Sequence, residues 1–306
     1  MSTIYKTVLI AGGTGGLGEK IALALLDSKH FSVKILSRVE SVTGSKKSVV
    51  DVLVSKGASL VTVKDESVEQ AVDALTGSEV VISVLNGGGL AYQLVLIEAA
   101  KKAGVKLFIP SDFGIDIYSL DVQKKLSGTK AEQFLSVKVA AVDSLKKHGL
   151  DHTEIVTDFF TDTTFWGWLG FDWPNGKVVV PGDGNAKVTF THRDDIAKYV
   201  VQVLLQADKT KNRVIRLAGD TKTYNEVVSL FEKALGKKLE VTYRPESELR
   251  KGDAALPNAL ADVPLVLQLA AAVGAVAIPD NEKSNDEFPD VKPVTVAEYI
   301  SSLVKP

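Results

Sequence analysis

A run of glycines follows the first apolar segment of the chain. The stretch "IAGGTGGLG" covers residues 10–18 and has the pattern G-x-x-G-x-x-G from Gly12 to Gly18. Glycine lets a pyrophosphate approach the backbone closely, and the helix that follows supplies unpaired N–H groups and a positive dipole end. A P-loop is excluded, because Glu19 follows Gly18 and no Gly-Lys-Ser/Thr sequence occurs there. The stretch therefore predicts a dinucleotide-binding turn rather than a merely flexible connection.

A cation stands where the second predicted strand ends. The stretch "KILSR" ends at Arg38, and Lys46 and Lys47 follow shortly after it. Enzymes that use NAD usually place an acidic residue here to bind the ribose hydroxyls, whereas a cation suits the 2′-phosphate of NADP. An exposed arginine on a surface loop would look the same in isolation. Together with the glycine turn, Arg38 favours NADP.

The chain lacks the Tyr-x-x-x-Lys pattern with which ordinary short-chain dehydrogenases handle a proton. None of its seven tyrosines has a lysine four positions later. The stretch "AEQFLSVKVAAVDSLKK" instead offers Lys138 on a predicted helix, with Phe134 where the tyrosine would stand. A helical lysine is usually a solvated surface residue, so spacing alone leaves the role of Lys138 open.

Two other kinds of site are excluded by spacing. His148 and His152 are four residues apart, but Gly149 breaks the helix between them, so no metal pair is predicted. The G-x-S-x-G pattern of an α/β-hydrolase nucleophile is absent. No metal site is therefore expected.

Nearly all-apolar strand-length runs alternate with helix-length segments through the first half of the chain. This rhythm predicts an α/β fold in which helices cover both faces of a doubly wound parallel sheet, with a smaller C-terminal α/β subdomain. We place an NADP-binding Rossmann domain at residues 1–157, with some later segments returning to it, and a mainly substrate-binding subdomain at residues 158–306. After Phe113 we expect a long loop and then a helix near residues 130–148. The apolar run at residues 265–278 predicts a buried helix.

Charge and composition limit the partners. The formal net charge is −2, which gives no basic field for a nucleic acid or an anionic membrane, so a small-molecule partner is expected. There is no cysteine, which excludes disulfides, thiolate nucleophiles and sulfur-ligated metals. No basic-then-apolar leader precedes the first strand. We expect a cytoplasmic monomer or homodimer.

Several longer segments resemble one known family in order and spacing. "GGTGGLG" is similar to a G-x-T-G-x-x-G turn, "FIPSDFGID" to F-x-P-S-E-F-G-x-D, and "PGDGNAKVTFTHRDDIA" to a G-D-G-N…D-I-G stretch. "EFPDVKPVTVAEYI" is close to Y-P-D-V-x-Y-x-T-V-x-E-Y-L. The chain thus resembles the isoflavone reductase-like, or NmrA-type, atypical short-chain reductases, which include the phenylcoumaran benzylic ether and pinoresinol–lariciresinol reductases.

The resemblance implies a role for each matching position. Lys138 stands where the family has its catalytic lysine, Arg38 and Lys47 where the 2′-phosphate is held, and residues 14–17 at the pyrophosphate. The expected cofactor contacts are Gly12, Thr14, Gly15, Gly16, Leu17, Gly18, Arg38, Lys47, Leu85, Asn86, Gln93, Ser111, Lys138 and Phe160. The expected substrate contacts are Phe113, Asp158, Phe159, Trp166 and Trp168.

The expected function is an NADPH-dependent reductase that transfers hydride to a small aromatic or conjugated substrate, with Lys138 handling a proton. Residues 158–162 depart from the family's N-C-F-A-G segment, so a substrate other than the plant phenylpropanoids is expected. Trp166, Trp168, Phe171 and Trp173 either close over that substrate or form the core of the small domain. The alternative function is a redox-sensing regulator that binds NADP without turnover.

Overall fold

The computed structural model describes residues 5–304, without the side chain of Ser41. Its strands are β1 (Thr7–Ala11), β2 (Ser32–Arg38), β3 (Ser59–Val63), β4 (Val80–Ser83), β5 (Leu107–Ile109), β6 (Thr153–Val156), β7 (Phe159–Phe160), β8 (Phe171–Asp172), β9 (Lys177–Pro181), β10 (Lys187–Thr191), β11 (Arg213–Arg216), β12 (Asp220–Thr223) and β13 (Glu240–Arg244). Its α-helices are α1 (Gly16–Ser28), α2 (Val39–Thr43), α3 (Lys47–Ser55), α4 (Val68–Leu75), α5 (Tyr92–Lys102), α6 (Leu120–Leu126), α7 (Lys130–His148), α8 (Thr161–Thr164), α9 (Arg193–Leu205), α10 (Ala207–Thr210), α11 (Tyr224–Leu235), α12 (Glu246–Ala255), α13 (Val263–Ala272) and α14 (Val296–Val304).

A five-stranded parallel sheet organises the first part of the chain, with the strand order β3-β2-β1-β4-β5. Its central strands β1 and β4 are mostly apolar and are buried apart from Thr7, as expected for a sheet covered on both faces. On one face, side chains of α4, α5 and α7 pack in a single cluster with Leu9, Val81 and Phe108 of the strands. The predicted doubly wound α/β class is confirmed.

The strand order places a topological switch point beside β1. The chain leaves β1 toward β2 and β3 on one side, and β4 and β5 lie on the other. Since all five strands are parallel, their carboxyl ends share one edge of the sheet. In sheets of this kind, ligands bind at that edge, next to the switch point.

The chain divides into two compact units. The first comprises residues 1–113, 137–155 and 196–215, and the second comprises residues 114–136, 156–195 and 216–306. Residues 196–215 are a later segment that returns to the first unit. The predicted boundary at residue 157 differs from this division at residues 114–136 and at residues 156–157. Residues 114–136 lie in the second unit because Ile115, Ile117, Val122 and Leu126 are buried in its apolar core.

Within the second unit, two three-stranded sheets have the orders β12-β10-β7 and β13-β9-β8. Its core contains a cluster of touching aromatic rings, in which Phe165 lies 5.1 Å from Phe171 and 5.1 Å from Phe190 between ring centroids. Tyr224 stacks on Phe171 at 5.5 Å. These rings anchor the unit through the burial of large apolar area.

Two local expectations need correction. The long loop expected after Phe113 contains the short helix α6, which Ser119 caps by accepting a hydrogen bond from the N–H of Val122. The apolar run at residues 265–278 is helical only as far as Ala272, because Gly274 adopts a left-handed φ of 67° and turns the chain.

Within the described residues, no helix has the length and apolarity required to cross a membrane.

Candidate active site

A cavity of about 450 Å³ lies in the first unit, at the switch point of the parallel sheet. The ends of β1, β2 and β3 and the segment after β4 form its walls. It is lined by Ala11, Gly12, Thr14, Leu36, Ser37, Arg38, Val63, Glu66, Leu85, Asn86, Gly88, Gly89 and Tyr92. Five of the predicted cofactor contacts, Gly12, Thr14, Arg38, Leu85 and Asn86, therefore meet in one cavity.

The glycine turn between β1 and α1 requires glycine at several points. Gly12 has a left-handed φ of 84°, and a Cβ atom there would lie 2.6 Å from the carbonyl oxygen of Val84. A Cβ on Gly18 would overlap the carbonyl group of Gly12, so α1 approaches the turn too closely for any side chain. Gly15 is the N-cap of α1, and no side chain caps the helix. The first N–H groups of α1 are thus left for a ligand.

Gly16, Leu17 and Gly18 form the first turn of α1, and none of them lines the cavity. Leu17 and Gly18 are buried against the fold. A contact from these residues to a pyrophosphate would therefore be made by their backbone N–H groups rather than by side chains. Their predicted role as cofactor contacts stays a prediction.

Two predicted phosphate contacts differ in their surroundings. Arg38 is exposed at the end of β2 and lines the cavity, and within residues 5–304 its guanidinium forms no ion pair. Lys47 lies at the start of α3, pairs with Asp51 one turn later, and does not line the cavity. Arg38 is thus free to bind an anion, whereas Lys47 would first have to leave Asp51.

A pair of hydrogen bonds fixes the segment after β5 to the cavity wall. Ser111 Oγ donates to the carbonyl oxygen of Leu85 at 2.5 Å, and the Ser111 N–H donates to Oε1 of Gln93 at 2.7 Å. Gln93 is almost fully buried on α5, and it does not line the cavity. The structure gives Gln93 a supporting contact, and its predicted contact with a cofactor stays a prediction.

Lys138 is buried on α7, in the same unit as the cavity. Its side chain is 10% exposed, and its Nζ lies 3.6 Å from Oδ1 of Asp112. Asp112 directly follows Ser111, which is bound to the cavity-lining Leu85. A burial of this extent is rare for a lysine without function or partner, and it removes the surface interpretation of Lys138. Phe113, which follows Asp112 in the chain, is also buried.

Several residues at the cavity, and Asp112 beside it, were not among the site residues predicted from the sequence. Tyr92 is buried at the cavity, and burial raises its pKa to about 12, with smaller contributions from the negative charges of Glu66 and Asp65. Val63 and Glu66 lie at and just after the end of β3, so extending the strand-end argument from β2 to β3 would have found them. Asp112 lies within a quoted motif, beside Ser111.

The predicted substrate residues after residue 157 lie in the second unit. Asp158 is fully buried and adopts a left-handed φ of 50°. Burial raises the pKa of its carboxyl well above the ordinary value, and the charge of Asp116 raises it further. Phe159 belongs to the apolar core, and Phe160 is half-buried on β7. Their contacts with a ligand stay predictions.

The aromatic stretch at residues 165–173 divides into core and surface. Phe171 is fully buried, and Trp173 packs against the core. Trp166 and Trp168 are 42% and 47% exposed. Trp168 also lines a second cavity of about 390 Å³ within the second unit, together with Tyr243, Arg244 and Gln268. Phe171 and Trp173 are therefore core residues, and closure of Trp166 and Trp168 over a substrate stays a prediction.

The site residues fit a dinucleotide phosphate. A Cβ atom on Gly88 would meet no other atom within 4 Å, which leaves open space on the wall after β4, and α1 offers an uncapped N-terminus. Arg38 supplies an unpaired cation at the end of β2, where the 2′-phosphate of NADP is recognised. Within residues 5–304, no cluster of three or more histidine or carboxylate side chains is placed to hold a metal. The fold and the site define a Rossmann-type dinucleotide-dependent protein.

Comparison with known proteins identifies the family. The NmrA-like family model matches residues 5–300, and the chain belongs to this family. It is 30% identical to a phenylcoumaran benzylic ether reductase of Ginkgo biloba over 97% of this chain and 98% of the relative. It is 31% identical to one of Pyrus communis, with 97% and 98% covered. The resemblance to the isoflavone reductase-like and NmrA-type reductases is confirmed.

Solved structures agree with this assignment. The structure of AtPrR2 with NADP+ and (+)pinoresinol has a TM-score of 0.82 and 28% identity to the chain, and covers 97% of it and 98% of the neighbour. The crystal structure of an isoflavone reductase has a TM-score of 0.84 and 26% identity, with 98% and 99% covered. The Rossmann-type architecture is thus common to the chain and these reductases.

Proposed function

We propose that this protein is a reductase that transfers a hydride from NADPH to a small aromatic or conjugated molecule, with Lys138 handling the proton. The protein is an oxidoreductase of the isoflavone reductase-like class, and its cofactor is NADP(H), as in the similar complex that holds NADP+. The aromatic substrate class rests on the printed names of the relatives, which include a eugenol synthase of Petunia hybrida and phenylcoumaran benzylic ether reductases.

One observation supports the proposed role of Lys138 most strongly. A continuous set of contacts leads from the cavity to its ammonium group: Leu85 lines the cavity, Ser111 binds Leu85, and the adjacent Asp112 lies 3.6 Å from Lys138 Nζ. A buried lysine on a helix that faces a strand end beside a dinucleotide cavity is suited to acid–base work.

The residues of the first unit divide the remaining work. The N–H groups at the start of α1 bind the pyrophosphate, and Arg38 binds the 2′-phosphate. Ser111 and Leu85 hold the wall at the reactive end of the cavity. NADPH supplies the hydride. Lys138 Nζ exchanges a proton with the substrate: it either donates one to an atom that becomes negative or removes one from a phenol in a reaction that cleaves an ether.

Turnover by a Lys138→Met variant tests the proposed function. Candidate aromatic carbonyl, enone and benzylic ether compounds are incubated with NADPH that carries deuterium at the transferred position, and deuterium in the product is measured by mass spectrometry. Wild-type protein should label at least one compound. Lys138→Met should lower turnover by roughly 10²–10⁴-fold, the range for loss of a general acid–base group. Wild-type turnover by this variant would contradict the role of Lys138.

Folding and cofactor binding are measured on the same samples. Circular dichroism and an NADPH titration show whether Lys138→Met is folded and binds the cofactor, so lost turnover is assigned to chemistry only for folded, loaded protein. If wild-type protein reduces no compound while NADP alters its affinity for another protein, the redox-sensor alternative replaces the reductase.

A further inference from the structure

The Lys138–Asp112 pair is unusual because both partners are buried. The Asp112 side chain is 1% exposed and the Lys138 side chain is 10% exposed. Moving either charge out of water alone would carry a free-energy cost comparable with the stability of a whole domain. Within the described residues, the carboxylate of Asp112 is the only one within ion-pair distance of Lys138. Its negative charge therefore offsets the cost of burying the ammonium group of Lys138.

The separation of 3.6 Å has a chemical consequence. Charged hydrogen bonds between an ammonium and a carboxylate are usually about 2.7–2.9 Å long. At 3.6 Å the attraction between the two charges persists, but no N–H of Lys138 is committed to Asp112. Elsewhere in residues 5–304, Lys138 Nζ also forms no hydrogen bond. Its three N–H donors thus remain available to a ligand.

Asp112 itself is held by its neighbours in the chain. Its backbone N–H donates to the carbonyl oxygen of Pro110 at 2.8 Å, and the preceding Ser111 is bound to Gln93 and Leu85. The carboxylate therefore sits on a short segment that is fixed to the loop after β4 and to α5. A group on so rigid a support can fix the position of the side chain that faces it.

We propose that Asp112 is a positioning residue that holds Lys138 in place as a cation, so that Lys138 enters the reaction as a proton donor. The proposal rests on the proposed function, and it selects general acid over general base for Lys138. With a conjugated carbonyl substrate, the hydride forms the new C–H bond and the electrons of the C=O π bond move to oxygen. The oxygen takes a proton from Lys138 Nζ, which regains one from water, while NADPH is oxidised to NADP+.

Competitive acetylation of Lys138 tests this assignment without any substrate. Acetic anhydride labels only unprotonated amines, and peptide mass spectrometry follows Lys138 as a function of pH, with the exposed Lys146 and Lys147 of α7 as internal references. In Asp112→Asn, the pH of half-maximal labelling of Lys138 should fall by about one unit or more, because the neighbouring negative charge is lost. In Asp112→Glu, the wild-type value should be largely restored.

The shape of the labelling curve separates charge from loosening. A variant that only exposes Lys138 raises the plateau of labelling and does not lower the pH of half-maximal labelling, because release from burial favours the charged amine. An unchanged value in folded Asp112→Asn would overturn the proposal, whether or not the protein proves to be a reductase. Wild-type labelling with no turnover on any compound would instead count against the proposed function alone.

A stability comparison covers the case in which Asp112→Asn does not fold. Removing Lys138 alone leaves the buried carboxylate of Asp112 without the ammonium group that faces it. The double variant removes both charges, so no such carboxylate remains. Lys138→Met should therefore unfold at a lower urea concentration than the double variant Lys138→Met with Asp112→Asn. If the double variant is the less stable of the two, Asp112 does not hold the charge of Lys138 and the proposal fails.

Discussion

The backbone N–H of Ser111 donates a 2.7 Å hydrogen bond to the side-chain oxygen of Gln93, and both residues are buried. Gln93 lies on α5, and Ser111 lies just beyond β5, so the bond joins a helix to the strand end that carries Asp112. A buried N–H that loses its acceptor cannot donate a hydrogen bond to water instead. This one contact therefore supports the local geometry on which Lys138 depends.

Gln93→Leu should lower the free energy of unfolding by roughly 1–3 kcal/mol, the cost of leaving a buried N–H unsatisfied. Urea denaturation measures this change. Gln70→Leu is a matched control, because Gln70 accepts a 2.7 Å bond from the N–H of Lys64 at an exposed position. Water replaces the lost acceptor there, and the loss should stay below about 1 kcal/mol. Equal losses in the two variants would show that burial of the Ser111 N–H does not matter.

The two glycines Gly15 and Gly18 should respond differently to substitution. A Cβ on Gly15 would meet only the Gly12 carbonyl oxygen, at 3.3 Å, and its φ of −85° is open to any residue. Gly15→Val should therefore fold normally and lose NADPH binding, because its side chain occupies the space of the pyrophosphate. Gly18→Ala should instead destabilise the fold by roughly 1–3 kcal/mol or more, through overlap with Gly12.

Fluorescence titration with NADPH and urea denaturation on both variants distinguish the two effects. Tight NADPH binding by Gly15→Val would show that the pyrophosphate lies elsewhere. A Gly18→Ala variant as stable as wild type would show that α1 can move away from the turn.

Arg38→Ala should change the choice between cofactors. If the guanidinium binds the 2′-phosphate through charged hydrogen bonds, binding of NADPH should weaken by roughly 1.5–3 kcal/mol, and binding of NADH should hardly change. Titration calorimetry measures both. Lys47→Ala provides the comparison, because Lys47 is already paired with Asp51 and should contribute less. Equal losses for NADPH and NADH in Arg38→Ala would show that Arg38 does not recognise the 2′-phosphate.

The parts of the structure that the sequence predicted well depend on local signals. The apolar runs of β1 and β2, the glycine turn, and the helix over residues 130–148 all lie in short continuous stretches. The left-handed Gly149, with a φ of 59°, ends α7 as expected and separates His148 from His152. Such features are set by backbone conformation and periodicity, which a single sequence displays directly.

Features that depend on contacts between distant segments could not be predicted in this way. Nothing in the sequence shows that Asp112 and Lys138 approach each other, because their distance is set by how α7 packs on the sheet. The pairing of Lys47 with Asp51 is different, since their spacing of four residues within one helix is itself a signal of an ion pair. The helix α6 was missed because its seven residues are too few for a clear periodic pattern.

The pH dependence of stability should carry the signature of Asp158. Its pKa is raised in the folded protein by burial and by the charge of Asp116. Below about pH 3.9, the ordinary value for an aspartate, both the folded and the unfolded chain bind the proton, and Asp158 has no cost. As the pH rises from there to the folded pKa, the unfolded chain releases the proton and the folded chain retains it, so stability falls.

Asp158→Asn should remove this loss. Asparagine tolerates the left-handed φ of 50° and carries no charge, so the variant should match wild type near pH 4 and become increasingly more stable as the pH rises. The gain should reach about 1.4 kcal/mol for each pH unit between the unfolded and folded pKa values. Urea denaturation over a series of pH values measures it. Asp183→Asn is the control, because the N–H of Asn185 lowers the pKa of this exposed carboxyl and its effect has the opposite sign. A gain for Asp158→Asn that does not change with pH would mean that the pKa of Asp158 is not raised in the folded protein.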